Sequence, residues 1–224
     1  GGWDKLLRDV HNARELLEQR WPGIPLIMLG HSMGSFVLRS YLLSYPEPSA
    51  IIFSGTGSQP LPLIYFGKGI ATLISLPRGG KKPSRLINKL AFSANNKPFV
   101  PARTAVDWLS RDEKEVDKYV QDPLCGFVFT AKGYQDFFDG LLTLSNTQRL
   151  GSLDKNLPML FISGDRDPVG GMGKGVQEAA RGYVDAGFQD VTIKLYEGAR
   201  HELFNETNRD EVIKDVISWI QQRF

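Results

Sequence analysis

Gly30-His31-Ser32-Met33-Gly34 is the one G-x-S-x-G pentapeptide in the chain, and it suits one kind of chemistry, nucleophilic attack by a serine hydroxyl. A serine alcohol is a poor nucleophile until a base removes its proton, and histidine is the usual base near neutral pH. The chain contains three histidines. His11 precedes the pentapeptide in a helical stretch and reads as a surface residue. His31 adjoins Ser32 and reads as packing beneath the turn. His201 remains, in the loop that follows an apolar run. The base in turn needs a carboxylate to hold its tautomer. Gly164-Asp165-Arg166-Asp167-Pro168 offers two, both lying between the serine and the histidine in the chain. Asp167, farther out in the loop, is the better placed to orient His201. Asp165, at the end of the preceding strand, reads as a tie for the turn. Met33 opens the next helix, so its N–H points toward a developing oxyanion.

Other constellations carry less. The run Gly170-Gly-Met-Gly-Lys-Gly175 has the look of a phosphate loop, but the glycine spacing is wrong and Gly175 follows Lys174 where Ser or Thr is needed. It reads as a lead-in to a helix. Cys125 has no histidine placed to activate it and reads as a small buried residue. Three scattered histidines and one cysteine make no metal site, and no cofactor is expected.

These residues need elements to position them. Residues 3–20 form an amphipathic helix, with Leu6, Val10, Ala13 and Leu17 on one face and Pro22-Gly23 ending it. The apolar run 26–29 is a buried strand that ends at Gly30, and residues 35–45 are a helix stopped by Pro46. That strand-then-helix context is what a nucleophile elbow requires, and it separates this pentapeptide from a glycine-serine turn without chemistry. Glycines two before and two after the serine let strand and helix approach closely. Further strands are expected at 50–53, 159–162 and 191–196, with helices at 176–186 and 209–222. Asn208 and Glu211 have the spacing of a capping box for the last helix. Short apolar strands alternating with helices indicate an α/β fold, a mostly parallel sheet flanked by helices.

About a hundred residues separate the second strand from the third, where a plain crossover needs a few tens. The excess reads as an inserted helical cap over 57–150, with core at 1–56 and 151–224. The cap holds an apolar stretch at 61–76, broken by Pro62, Gly67, Lys68 and Gly69, which argues against a transmembrane helix. A basic stretch follows with Arg78, Lys81, Lys82, Arg85 and Lys89, and then a charged amphipathic segment at 108–119 that reads as a solvated helix face.

A chain of 224 residues fits one domain carrying an insertion. Its 27 Lys plus Arg against 25 Asp plus Glu leave a net charge of +2, too small for a nucleic-acid partner to be expected. One cysteine excludes an internal disulfide and favours a cytoplasmic setting.

GHSMGS, the strand ending in GDRDPVG, and GARHELFNETNRDEV together resemble the bacterial lysophospholipase and monoacylglycerol lipase-like branch of the α/β-hydrolases. Trp108-Leu-Ser-Arg-Asp and Asp122-Pro-Leu-Cys-Gly126 in the cap are similar to that branch too. The resemblance implies Asp167 as the acid and His201 as the base. It also implies hydrolysis of medium- or long-chain carboxylic esters under a helical cap, without metal or cofactor. The expected partners are a small lipid or ester substrate and, through the cap, a transient contact with a membrane surface. The apolar stretch 61–76 suits an acyl chain or the core of the cap equally. An aminopeptidase of the same fold is the alternative, with Asp112, Glu113 or Glu115 clamping a substrate amino terminus; so is a non-catalytic binding domain. The family carries further strands before the elbow and a second oxyanion N–H in the loop after its third strand. Only 31 residues precede Ser32, so Gly1 is expected to be an internal start, with an N-terminal segment missing that could pair with this chain.

Overall fold

Two strands carry almost nothing but apolar side chains, and they form the middle of the sheet. The computed structural model describes residues 1–76 and 80–224, without the side chains at 147–149. It places β1 (Ile27–His31), β2 (Ala50–Ser54), β3 (Met159–Gly164) and β4 (Val191–Tyr196) in one parallel sheet, in the order β1-β2-β3-β4. Every residue of β2 and β3 is buried, as continuous apolar runs require when helices cover both faces.

Strand alternation then sorts the core into two layers. Ile51, Phe53, Met159 and Phe161 pack against Leu38 and Leu42 of α2 (Met33–Leu42) and Val176 and Tyr183 of α7 (Lys174–Asp185). Ile52, Leu160 and Ile162 face the other way, onto Val212, Val216 and Trp219 of α8 (Arg209–Gln221). Each fully buried side chain of this size contributes about 1.5–3 kcal/mol. Among the described residues β1 is paired on one side only, and its Leu29 is 45% exposed.

α1 (Gly2–Arg20) buries a stripe that only partly overlaps the one its periodicity suggests, with Leu6 and Val10 partly buried at its edge. Trp3 and Leu7 are the buried residues, packed with Phe36, Val37 and Tyr41 of α2, whereas Ala13 and Leu17 are exposed. Contact with α2 selects the Leu7 side; the heptad-like pattern in the sequence does not specify which of two overlapping stripes finds a partner. The capping box expected at α8 does not form. Asn208 is the N-cap residue, but its Oδ1 accepts from Arg111 Nη2 at 2.8 Å and its Nδ2 donates to Glu211, so the side chain is drawn away from the helix amides.

Between β2 and β3, among the described residues, run four α-helices, α3 (Leu61–Ser75), α4 (Arg85–Phe92), α5 (Glu113–Gln121) and α6 (Ala131–Thr143). Side-chain caps start three of them: Ser84 on the Ile87 amide, Asp112 on the Lys114 amide and Thr130 on the Gly133 amide. α6 lies along α3 and also reaches the core, where Gly140 admits the Trp3 indole so closely that any side chain there would run into it. The segment expected to be one charged helix from residue 108 is helical only from Glu113. Trp108 and Leu109 sit in a buried single turn before it, because both pack inward beside the loop that carries His201. Of the basic stretch, Arg78 lies outside the described residues; Lys81, Lys82, Arg85 and Lys89 are exposed. Among the described residues no helix is long and apolar enough to cross a membrane.

Candidate active site

The carboxyl ends of the parallel strands converge on one edge, where open α/β sheets bind their ligands. Ser32 follows β1, Asp167 follows β3 and His201 follows β4. Ser32 takes φ 52° and ψ −123°, a backbone conformation rare outside glycine, at the junction of β1 and α2. The strain is held by hydrogen bonds on both sides. The Ser32 amide donates to the Ser54 carbonyl at 2.9 Å, and the Ser35 hydroxyl donates to the Ser32 carbonyl at 2.6 Å. The two glycines of the pentapeptide are not equivalent. A Cβ on Gly30 would stand 2.5 Å from the Gly34 carbonyl oxygen, whereas one on Gly34 would meet nothing within 4 Å. The close approach expected of both is demanded only of Gly30.

His201 is 2% exposed and Asp167 fully buried. His201 Nδ1 lies 2.9 Å from Asp167 Oδ2, and its Nε2 lies 2.9 Å from the Ser32 hydroxyl. An ionised carboxylate only accepts, so Nδ1 carries the proton and Nε2 is left as the acceptor for the hydroxyl. The second Asp167 oxygen accepts from the Val169 amide at 2.9 Å, and the Met172 amide donates to the Asp167 carbonyl at 2.9 Å, fixing the loop. Asp165 instead accepts from the Gly198 amide at 2.8 Å, tying the turn after β4 to the end of β3. Met33 is the first residue of α2, and an amide at that position has no partner within its own helix.

Three neighbours of this group make contacts that their place in a motif does not specify. His31 does not pack away from it: its ring centroid lies 4.7 Å from that of His201, and its Nδ1 is 3.2 Å from the Ser54 hydroxyl. Burial, with the nearby His201 in second place, pushes the His31 imidazole down to about 4. The Trp108 ring also packs against His201, with centroids 5.0 Å apart and planes tilted by 41°, and its carbonyl accepts from the His201 amide at 3.4 Å. Glu206 is fully buried, and its carboxylate gathers the Arg200 amide, the Arg111 amide and Arg111 Nε at 2.8–3.1 Å. Glu206 stands five residues past His201 in an irregular loop, where neither periodicity nor spacing marks a buried acid.

The remaining candidates lie elsewhere. His11 is half-buried, not a free surface residue, with Nδ1 3.0 Å from the Tyr41 hydroxyl. Cys125 is partly exposed in the turn after Asp122, so it is not the buried packing residue expected. The glycine run at 170–175 leads into α7 through left-handed residues at Gly171, Met172 and Gly173. Asp112 and Glu115 face Arg209, at 3.1 and 4.0 Å, and Glu113 faces Arg103.

Residues 1–208 match a family model described as serine aminopeptidase, S33. The monoacylglycerol lipase of Mycolicibacterium smegmatis is 32% identical over 204 residues, covering 89% of this chain and 63% of that protein. Human monoglyceride lipase is 29% identical over 224 residues, covering 97% and 65%. The crystal structure of a highly thermostable carboxyl esterase from Bacillus coagulans, in complex with glycerol, superposes with a TM-score of 0.90 at 26% identity, covering 98% of this chain and 72% of that one. The chain thus spans about two thirds of the length of the mycobacterial and human relatives.

Proposed function

Since the chain belongs to the serine aminopeptidase, S33, family and has the α/β-hydrolase fold of the monoacylglycerol lipase-like proteins, we propose that it is a serine hydrolase of lipid esters, acting on acyl glycerols or lysophospholipids through an acyl-enzyme on Ser32. The observation that carries this reading is the continuous hydrogen-bonded line from Asp167 through His201 to the Ser32 hydroxyl, two contacts of 2.9 Å each. As Ser32 Oγ attacks the ester carbonyl, His201 Nε2 takes its proton, and the imidazolium is stabilised by Asp167 without transfer of the second proton. The Met33 amide donates to the oxyanion. Collapse of the tetrahedral intermediate expels the alcohol, which takes the proton from Nε2. Water, deprotonated by the same nitrogen, then attacks the acyl-enzyme and releases the acid.

Residues 57–150 act as the cap over this edge, with the core in 1–56 and 151–224. The cap carries a wide apolar surface: Leu63, Tyr65, Phe66 and Leu73 of α3 are 57–68% exposed, and Leu86 and Leu90 of α4 are 57% and 56% exposed beside the cations of the basic stretch. Apolar side chains flanked by lysines suit the interface of a lipid surface, from which an acyl substrate is drawn.

An aminopeptidase needs an unengaged carboxylate near the serine, and the acids considered for that role already face arginines. Ester hydrolysis is therefore the preferred reading. A fluorophosphonate probe is expected to label Ser32 and to be lost in Ser32→Ala. p-Nitrophenyl acyl esters are expected to turn over while aminoacyl anilides do not; the reverse selectivity overturns the ester assignment.

A further inference from the structure

Among the described residues no acid forms an ion pair with Arg39. It lies on α2, two turns beyond Ser32, and is half-buried. Its Nη1 donates to the Gly57 carbonyl at 2.8 Å and to the Thr56 hydroxyl at 3.4 Å, and the guanidinium faces the fully buried Tyr183. Its Nε is buried with no hydrogen-bond partner among the described residues. No Asp or Glu forms an ion pair with it among those residues. The positions whose side chains are not described, Pro77, Arg78, Gly79, Thr147, Gln148 and Arg149, include no acid. A guanidinium taken partly out of water with neutral partners alone is costly, and a carboxylate or phosphate is the group that matches its geometry.

The same side chain lines a cavity of about 180 Å³ between α2, α3 and α6. Phe36, Leu61, Ile64, Leu141 and Leu144 supply its apolar lining, with the Phe36 ring 5.8 Å from the guanidinium carbon, and residues 57–59 and Ser145 complete it. Phe36, Ile64 and Leu141 are buried, while Leu61 at the rim is 42% exposed, so the cavity has an apolar floor and an open mouth. An apolar cavity of about 150 Å³ already admits a molecule the size of benzene. A cation beside this cluster of apolar side chains is complementary to an amphiphile with an anionic head and a short hydrocarbon tail.

We propose that this cavity is a second ligand site, which binds the carboxylate of a short- or medium-chain fatty acid on Arg39 with the alkyl chain among Phe36, Leu61, Ile64, Leu141 and Leu144. Such an acid is the class of product that the proposed ester hydrolysis releases, so the site would hold product beside the catalytic edge. Its binding, however, is read without turnover.

Titration calorimetry on Ser32→Ala protein tests it, with sodium octanoate, octanol and inorganic phosphate as probes. Octanoate is expected to bind. Adding Arg39→Gln is expected to weaken octanoate at least about tenfold, the value of a hydrogen bond to a charged group, and to leave octanol unchanged. Phosphate, lacking the tail, is expected to bind more weakly than octanoate. Leu61→Glu, at the exposed rim, is expected to repel octanoate with no loss of folding, which guards against misreading a destabilised Arg39→Gln. Octanoate affinity that survives both substitutions places the ligand elsewhere and overturns the proposal. So does the absence of octanoate binding to folded Ser32→Ala. Failure of wild-type protein to hydrolyse esters would strike the functional reading alone.

Discussion

His31 and His201 face one another across the end of β1, with ring centroids 4.7 Å apart and planes tilted by 47°. Gly55 fills the space beside both. With φ at +59°, it is a position where a Cβ would stand 3.0 Å from His201 Cε1 and 3.1 Å from His31 Cε1. His201 is thus held from Asp167, from Trp108 and from a second imidazole that stays neutral near pH 7.

The pairing predicts a specific acid sensitivity. Buried His31 is held down to about 4, while the unfolded chain titrates near 6.5. Between those values the unfolded state binds a proton that the native state refuses, so stability falls as pH drops from about 6.5 toward 4 and is unaffected by this group above that window. The charged and titratable groups facing it are His201, which opposes its protonation, and Asp167, which favours it. Denaturant midpoints at pH 7 and pH 5 are expected to differ less in His31→Asn than in wild type.

Gly55→Ala is expected to disturb the base without emptying the core. The substitution strains a left-handed residue and presses on both rings, so kcat is expected to fall at least tenfold with KM little changed. Steady-state kinetics on a p-nitrophenyl ester would show it, and an unaltered kcat would mean that the His31–Gly55–His201 packing has no catalytic consequence.

The two carboxylates of the β3 loop are expected to separate sharply. Asp167→Asn keeps the shape but replaces a carboxylate that only accepts with an amide that can donate to Nδ1, favouring the wrong imidazole tautomer; a kcat loss on the order of 10⁴ is expected. Asp165→Asn loses only a charge on the Gly198 amide and is expected to cost activity severalfold at most. Equal losses would contradict the assignment of the acid.

Glu206 ties the segment around Arg111 to the loop that carries His201. Besides Arg111, it holds the amide of Arg200, the residue before His201, and the Glu202 amide reaches the Leu109 carbonyl at 2.7 Å. Arg111 is 32% exposed but its partner is fully buried, and Arg111→Ala leaves the Glu206 carboxylate with backbone amides as its main hydrogen-bond donors, so the substitution is expected to destabilise by about 1–3 kcal/mol in urea unfolding. Glu206→Gln is expected to lower kcat more than KM, because it loosens the segment that aims His201 and leaves the substrate walls in place.

What could be read directly from the chain was whatever depends on near neighbours. Four apolar runs became the four strands, within a residue or two at their ends, because strand character is a local pattern bounded by Gly and Pro. The elbow at Ser32 was legible because its strand, glycine and helix are consecutive, and the choice of His201 followed from there being three histidines to sort. Tertiary structure decided everything that depends on residues far apart. It set Asp167 at His201 and Asp165 at the Gly198 amide, turned His31 toward His201, brought Trp108 and Glu206 to brace the same loop though neither residue's type nor its spacing gives that contact, and drew Asn208 from its helix cap to Arg111. The physical reason is common to all of these. A side chain's partner across 30 to 170 positions is set by how sheet and helices pack, and neither its own type nor its spacing along the chain encodes which competing contact wins.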